Sequence, residues 1–491
     1  MGTFCRFFLL FICHFFPLFS GPSGRPGMLD RQPSQYRPPA PIPPSQRLNL
    51  LRLLPTLAKN PLECWSAEFF REPVVKMRLP FAEAVIVHEP NAIRRVLLDN
   101  AANYRKDPLQ RRVLATGLAD GLLSVEGHRW EIQRRTLAPL FAKRTVNSFA
   151  RPMLDAANAV AAKWTGLGDG AVIDVAAEMT LVTLNVLALT IFSDGIGDDP
   201  DEFRQAMNAY FGVIGRIGLL DLFGAPPWFP RLGQARLRKT MEYFEGTIDR
   251  IIEAKHRRFL ASKPDSESSD LLSLLLRALD PSTGRSMSTD EVKSNILTFL
   301  SAGHETTANA LAWSLFLLSR SPCWAALVQE EAARELQGPV EGLADRLVVT
   351  RMVVDESLRL YPPIAALSRM AGQPDELAGV KVKSGSLIVI APYVLHRHQN
   401  LWHQPELFDP SRFSEREKGK IDRFAYLPFG MGPRTCIGAS FALQEATIVL
   451  AVLMNRFDLE LRPDAHVWPV QRVTLRPGEL PMSIGLRTIS S

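Results

Sequence analysis

From about residue 48 to its C-terminus the chain is patterned mostly for helix. Apolar residues recur at three- and four-residue spacing through 92–99, 129–141, 176–192, 203–218, 237–260, 289–319, 323–336 and 345–360, the period that gives an α-helix one apolar face. Strand-like runs are shorter and fewer: Val85-Ile86-Val87, then Val380-Lys381-Val382 and Leu387-Ile388-Val389-Ile390 around a Lys383-Ser384-Gly385 turn. Residues 262–270 and the segment Asp280–Arg285 read as loops. No linker divides 48–491, so the pattern predicts one mainly α domain with a small β region. Ahead of it come an apolar run at 7–19 and a stretch at 21–47 rich in Pro, Gly, Ser and Arg, an extended, semi-rigid lead-in. The expected organisation is therefore 1–47 as leading segment and 48–491 as the folded domain.

Two places break the helical pattern in informative ways. The run 289–319 opens with Ser288-x-x-Glu291, a capping box, and would make a helix of ~45 Å at 1.5 Å per residue. Its middle reads Ala302-Gly303-His304-Glu305-Thr306-Thr307. A glycine inside a helix costs about 1 kcal/mol relative to alanine, and four polar residues follow it in an otherwise apolar run. The second break is Phe429-Gly430-Met431-Gly432-Pro433, whose glycines and proline force a tight loop. A helical pattern resumes at once, with Ala439, Phe441, Leu443, Ala446 and Ile448. Cys436 thus stands at the mouth of a helix, where unpaired N–H groups and the dipole favour a thiolate. Arg434 adds a positive charge, and glycines at 430, 432 and 438 remove side-chain bulk so that a flat group could lie against the backbone.

Composition narrows the chemistry. Apolar residues make up 46% and charged residues 22%, an ordinary globular balance. The net charge of +6 is spread along the chain, which together with the absence of zinc-finger or RNA-binding signatures argues against nucleic acid as a partner. The five cysteines are odd in number and form no C-x-x-C pair, which argues against a disulfide framework and a multi-cysteine metal site. A cysteine that does chemistry here does it alone, and free thiols fit a reducing, cytoplasmic setting. The run at 7–19 is shorter than the ~20 residues needed to span a bilayer and is interrupted by His14 and Pro17. A secretory signal, a loose membrane anchor and an extension upstream of Met28 all fit it. Free cysteines make the first the least attractive, and a peripheral membrane contact stays open.

The pattern Phe429-x-x-Gly432-x-Arg434-x-Cys436-x-Gly438 resembles the haem-binding loop of the cytochromes P450 at every defining position. The resemblance runs from roughly residue 60 to the C-terminus with the family's other marks in order. Ala302 to Thr307 is similar to the oxygen-binding groove of the family's central helix, and the resemblance gives Glu305 and Thr306 the delivery of protons to dioxygen. Glu356-x-x-Arg359 and Phe408-Asp409-Pro410-Ser411-Arg412-Phe413 resemble the charge network that supports the haem loop. Trp130 and Arg134, one helical turn apart, and Arg369 match positions that bind haem propionates. His396, His398 and His403 sit in a meandering loop and are not expected to hold a metal.

The family's fold is mainly α, with the long central helix crossing the haem. The resemblance implies haem b whose iron is bound axially by Cys436, with Arg434 on a propionate, Phe429 beside the sulfur and Gly438 making room. It implies a monooxygenase that activates dioxygen with two externally supplied electrons and places one oxygen atom in a small hydrophobic substrate. A separate ferredoxin with its reductase, or a flavoprotein, is the expected electron donor. Arg129, Arg135, Lys143, Arg144, Lys418, Lys420 and Arg423 are candidates to attract it. Pocket candidates are Ile214 to Phe229, Thr298 to Ala302, and Ile364 to Leu367, with small Ala365 and Ala366 suggesting room near the iron. Leu219 to Phe229 is the candidate lid or membrane contact. The Glu305–Thr306 pair argues against a haem-thiolate enzyme working on peroxide, since family members of that kind tend to lose it, and in a haem sensor it would have no purpose.

Overall fold

The computed structural model describes residues 36–78, 83–107, 120–193 and 270–488, with parts of 239–257. The expectations for 7–19, 203–218, 219–229, 262–269 and much of 237–260 lie outside the described residues. The longer helices are α1 (Leu50–Lys59), α2 (Gly127–Leu137), α3 (Ala150–Leu167), α4 (Val175–Phe192) and α5 (Leu271–Arg277), followed by α6 (Thr289–Ser319), α7 (Pro322–Glu335), α8 (Val348–Leu360) and α9 (Ala439–Arg456). Twelve strands accompany them: β1 (Val74–Arg78), β2 (Glu83–Val87), β3 (Tyr104–Arg105), β4 (Val172–Asp174), β5 (Leu367–Ala371), β6 (Asp375–Leu377), β7 (Val380–Val382), β8 (Leu387–Ile390), β9 (Phe457–Leu461), β10 (Val470–Gln471), β11 (Leu475–Arg476) and β12 (Pro481–Leu486). The main sheet has the order β1-β2-β8-β5-β3, and its β2–β8 pair is parallel.

The core is built on α6. Ser288 accepts from the Glu291 backbone N–H at 3.2 Å, and the Glu291 carboxylate accepts from the Ser288 N–H at 3.0 Å, so the predicted capping box forms. Asp290 and Glu291 in the first turn also favour the positive end of the helix dipole. Every side chain from Asn295 to Leu300 and from Ala308 to Leu318 is buried, as expected of a helix surrounded by protein on all faces. Helices α4, α8 and α9 pack against it. Helix α4 comes close at Gly303, where a Cβ would stand 3.2 Å from both methyls of Leu187. The mid-helix glycine therefore also serves packing. By length and composition alone α4 would pass as a membrane span, yet 61% of it is buried inside the protein.

The described residues belong to one compact unit. The proline-rich lead-in is tied to it from Tyr36 onward. Tyr361 donates to the Pro39 carbonyl at 2.8 Å, and the backbone N–H groups of Phe408 and Ala67 donate to Tyr36 and Pro44.

Candidate active site

The loop before α9 is shaped by close backbone approach. The Cys436 N–H donates to the Phe429 carbonyl at 2.9 Å, and the Gly430 N–H to that of Leu427 at 3.1 Å. Gly430 and Gly432 have φ of +67° and +77°, a region that only glycine enters cheaply. At Gly432 a Cβ would lie 1.8 Å from the Leu97 carbonyl oxygen, whereas at Gly438 it would meet nothing within 4 Å. The first glycine lets a neighbouring segment press on the loop, and the second leaves an open face beside the thiol.

Cys436 is accessible to solvent, yet enough protein surrounds it that burial pushes its thiol pKa up. The Gly438 N–H, hydrogen-bonded to the sulfur, and the charge of Arg134 pull it back down. Burial likewise lowers the pKa of Arg134, and the thiolate opposes that shift. The expected helix-mouth environment is present, but desolvation is its largest effect.

Around the loop the structure gathers cations that burial disfavours. Arg434 donates to Glu126 Oε2 at 2.6 Å and stacks its guanidinium 4.2 Å from the centre of the Trp130 ring. Lys106, which no sequence pattern marked, lies 3.4 Å from the other Glu126 oxygen and donates to the Leu123 carbonyl. Burial first, and Arg434 second, lower its pKa to about 8. Arg369 is depressed by burial and by Arg434, with Glu126 and Asp107 opposing. Lys106, Arg369 and Arg434 thus share Glu126, with Asp107 acting on Arg369 as well, while Arg134 answers the Cys436 sulfur. This excess of cations over carboxylates, with an accessible thiol and an open glycine face, fits a flat anionic cofactor whose metal takes one sulfur ligand.

On α6 the polar run divides. His304 and Thr307 are buried; His304 Nδ1 bonds the Leu300 carbonyl at 2.9 Å, and burial lowers its pKa. Ala302 is exposed and Glu305 and Thr306 are half-buried, so the helix opens on that side. Thr306 Oγ1 donates to the Ala302 carbonyl at 2.8 Å. Glu305 Oε1 accepts from Thr474 in the β10–β11 turn, a partner that sequence reasoning missed because it lies 169 residues away. Of the pocket candidates, Thr298 is buried and Ile364 is 41% exposed. Ala365 is buried at 1% exposure and Ala366 is half-buried.

The supporting network forms as expected. Arg359 donates to both oxygens of Glu356 at 2.7 and 2.8 Å, and to the carbonyls of His396, Pro405 and Leu407 at 2.7, 2.8 and 3.0 Å. Arg412 stands 3.6 Å from Glu356 and donates to the carbonyls of His403 and Gln404. His396 is fully buried, with its pKa lowered to about 3 chiefly by burial, so its Nε2 accepts the Leu427 N–H at 2.8 Å. It carries the network to the loop; among the described residues no group of three or more His, Cys, Asp or Glu is placed to hold a metal ion.

Comparison with known proteins meets these observations. Residues 39–481 match the family model described as Cytochrome P450. Cyclooctatin synthase of Streptomyces melanosporofaciens is 30% identical over 87% of this chain and 91% of its own length. The Bifunctional cytochrome P450/NADPH--P450 reductase 2 of Bacillus subtilis is 30% identical over 90% of this chain, but over only 42% of its own length. The crystal structure of the cytochrome P450DA heme domain superposes with a TM-score of 0.79 at 26% identity, covering 92% of this chain and 99% of that one. With the family match spanning nearly the whole described fold, the chain belongs to the cytochrome P450 family and is a haem-thiolate monooxygenase.

Proposed function

We propose that Cys436 is the axial ligand of the haem iron and that Glu305 and Thr306 manage protons on the opposite side. The observation that carries this is the reachable yet surrounded Cys436 thiol, held by the Gly438 N–H and the charge of Arg134. Bound haem supplies the activation of dioxygen, with the thiolate pushing electron density toward O–O cleavage. Cys436 would hold the iron through its sulfur, with the Gly438 N–H and the charge of Arg134 steadying the thiolate. Arg369, Arg434, Arg134 and Lys106 hold the propionates, and the Trp130 indole keeps Arg434 flat by stacking. Phe429 closes the loop through its carbonyl and packs on the core beside the ligand. Gly438 leaves its face of the ring unobstructed.

Thr306 is parked on the Ala302 carbonyl. One rotamer change releases its hydroxyl to pass a proton received from Glu305. Half-exposed Ile364 offers an apolar surface to a hydrophobic substrate.

A separate, acidic electron donor is the reading that the exposed basic residues support. The basic residues expected to receive it are partly committed elsewhere. Arg129, Lys143 and Lys420 pair with Asp120, Asp345 and Glu417, and Arg135 makes a two-pronged bond to the buried carboxylate of Asp280. Exposed Arg144, Lys418 and Arg423 form no ion pair among the described residues and are left to attract an acidic partner.

The test is the carbon monoxide difference spectrum of the dithionite-reduced, haem-loaded protein. A Soret band far to the red, lost in Cys436→Ala, supports thiolate ligation by Cys436. A spectrum like that of histidine-ligated haem in the wild type would overturn it.

A further inference from the structure

The acid of the central helix is gripped from outside that helix. Thr474 Oγ1 donates to Glu305 Oε1 at 2.5 Å, and Asn309 Nδ2, one turn along α6, donates to the same Oγ1 at 3.0 Å. Thr474 and Asn309 are buried. A hydroxyl has a single proton and two lone pairs. With the Asn309 amide filling a lone pair, the Thr474 proton is directed at Glu305.

The turn itself is anchored. The Leu475 N–H donates to the Pro363 carbonyl at 2.9 Å, the Arg472 N–H to that of Thr474 at 3.0 Å, and the Arg472 guanidinium to that of Lys59 at 2.6 Å. Glu305 Oε2 has no protein partner among the described residues.

We propose that Thr474, oriented by Asn309, is a positioning residue for proton delivery. It commits one oxygen of Glu305 to the protein and leaves the other to exchange protons with Thr306 and solvent. A side chain pinned at one oxygen has fewer rotamers to sample, and fixed geometry is what makes a general acid efficient. The proposal rests on the reading of Glu305 as the proton donor.

Proton supply decides where electrons go when no organic substrate is present. Dioxygen with two electrons and two protons leaves as hydrogen peroxide; with four of each it leaves as two waters. Peroxide formed per NADPH consumed reports the split, at one for the first route and zero for the second. The measurement uses the haem-loaded protein with NADPH, a plant-type ferredoxin and its reductase.

In Thr474→Val the water-forming share is expected to fall about tenfold, the scale of one lost charge-assisted bond to a general acid. Thr474→Ser should restore it, and Asn309→Ala should fall between. In a Glu305→Gln background Thr474→Val should add nothing.

Thr474→Val with an intact carbon monoxide spectrum and an unchanged split, while Glu305→Gln shifts it, would overturn the proposal alone. So would additive effects of the two substitutions. Should the Val variant lose haem, Thr474→Ala is judged by the same criteria. An unchanged split in Glu305→Gln would overturn the role of Glu305 itself, and the proposal with it.

Discussion

Arg359→Ala removes the most heavily bonded buried side chain around the site, and its cost can be worked from its partners. Arg359 makes two bonds to Glu356 and three to main-chain carbonyls, and both side chains are fully buried. Breaking a buried ion pair costs about 3–5 kcal/mol, because the surviving charge is left in a low dielectric. Each orphaned carbonyl adds about 1–3 kcal/mol before relaxation. These are not additive, since Glu356 keeps the Asp409 N–H at 2.8 Å and Arg412 at 3.6 Å. A loss of about 5 kcal/mol is expected, comparable with the whole stability of many domains, about 5–15 kcal/mol. Arg412→Ala loses two carbonyl bonds and a longer contact from a side chain 12% exposed, so about 2 kcal/mol is expected. Guanidinium chloride unfolding, followed by circular dichroism, measures both. Soret absorbance per polypeptide measures haem retention, which should fall furthest in Arg359→Ala because His396 links this network to Leu427 of the loop. Equal costs for the two variants, or less than about 1 kcal/mol for Arg359→Ala, would refute the reasoning.

Three further outcomes follow from the site. Lys106 has a folded pKa of about 8 against an ordinary 10.5. Between those values the unfolded chain holds a proton that the folded one has released. The stability of the haem-free protein relative to that of Lys106→Met should therefore rise with pH by about 3 kcal/mol across that window and stay constant outside it. Parallel stability curves for the two proteins would contradict it. Gly432→Ala, with its Cβ driven into the Leu97 carbonyl, should cost about 3 kcal/mol or more and release haem. Gly430→Ala has the same sign of φ but open space, and should cost about 1 kcal/mol in the same denaturation assay. Neutralising Arg144, Lys418 and Arg423 should weaken an acidic donor's binding in a salt-dependent way. Arg135→Gln should instead lower the melting temperature, by abandoning the Asp280 carboxylate; the reverse pattern in stopped-flow reduction and thermal scans would disprove that division of labour.

Features carried by local spacing were legible in the sequence. The capping box at Ser288 and Glu291, the 289–319 helix, the glycine-punctuated turn before Cys436 and the i, i+3 pairing of Glu356 with Arg359 depend on neighbours within one helical turn or one loop, and residue order determines them. Elements with weak local signals escaped. Helix α3 hides its buried face in small residues such as Ala156, Ala157 and Ala161. Strands β3, β10 and β11 are two residues long, too short for any alternation to register. The chemistry proposed for Cys436, Glu305 and Thr306 is likewise read from local residue types at fixed offsets. What only the tertiary structure decided was which distant groups share each field. It set Lys106 and Glu126 beside Arg434, turned Arg434 onto Trp130, committed Arg135 to Asp280 and placed Thr474 on Glu305. Hydrogen bonds and desolvation act over a few ångströms of space, whatever the number of residues between the partners, so only the packed chain brings them into force.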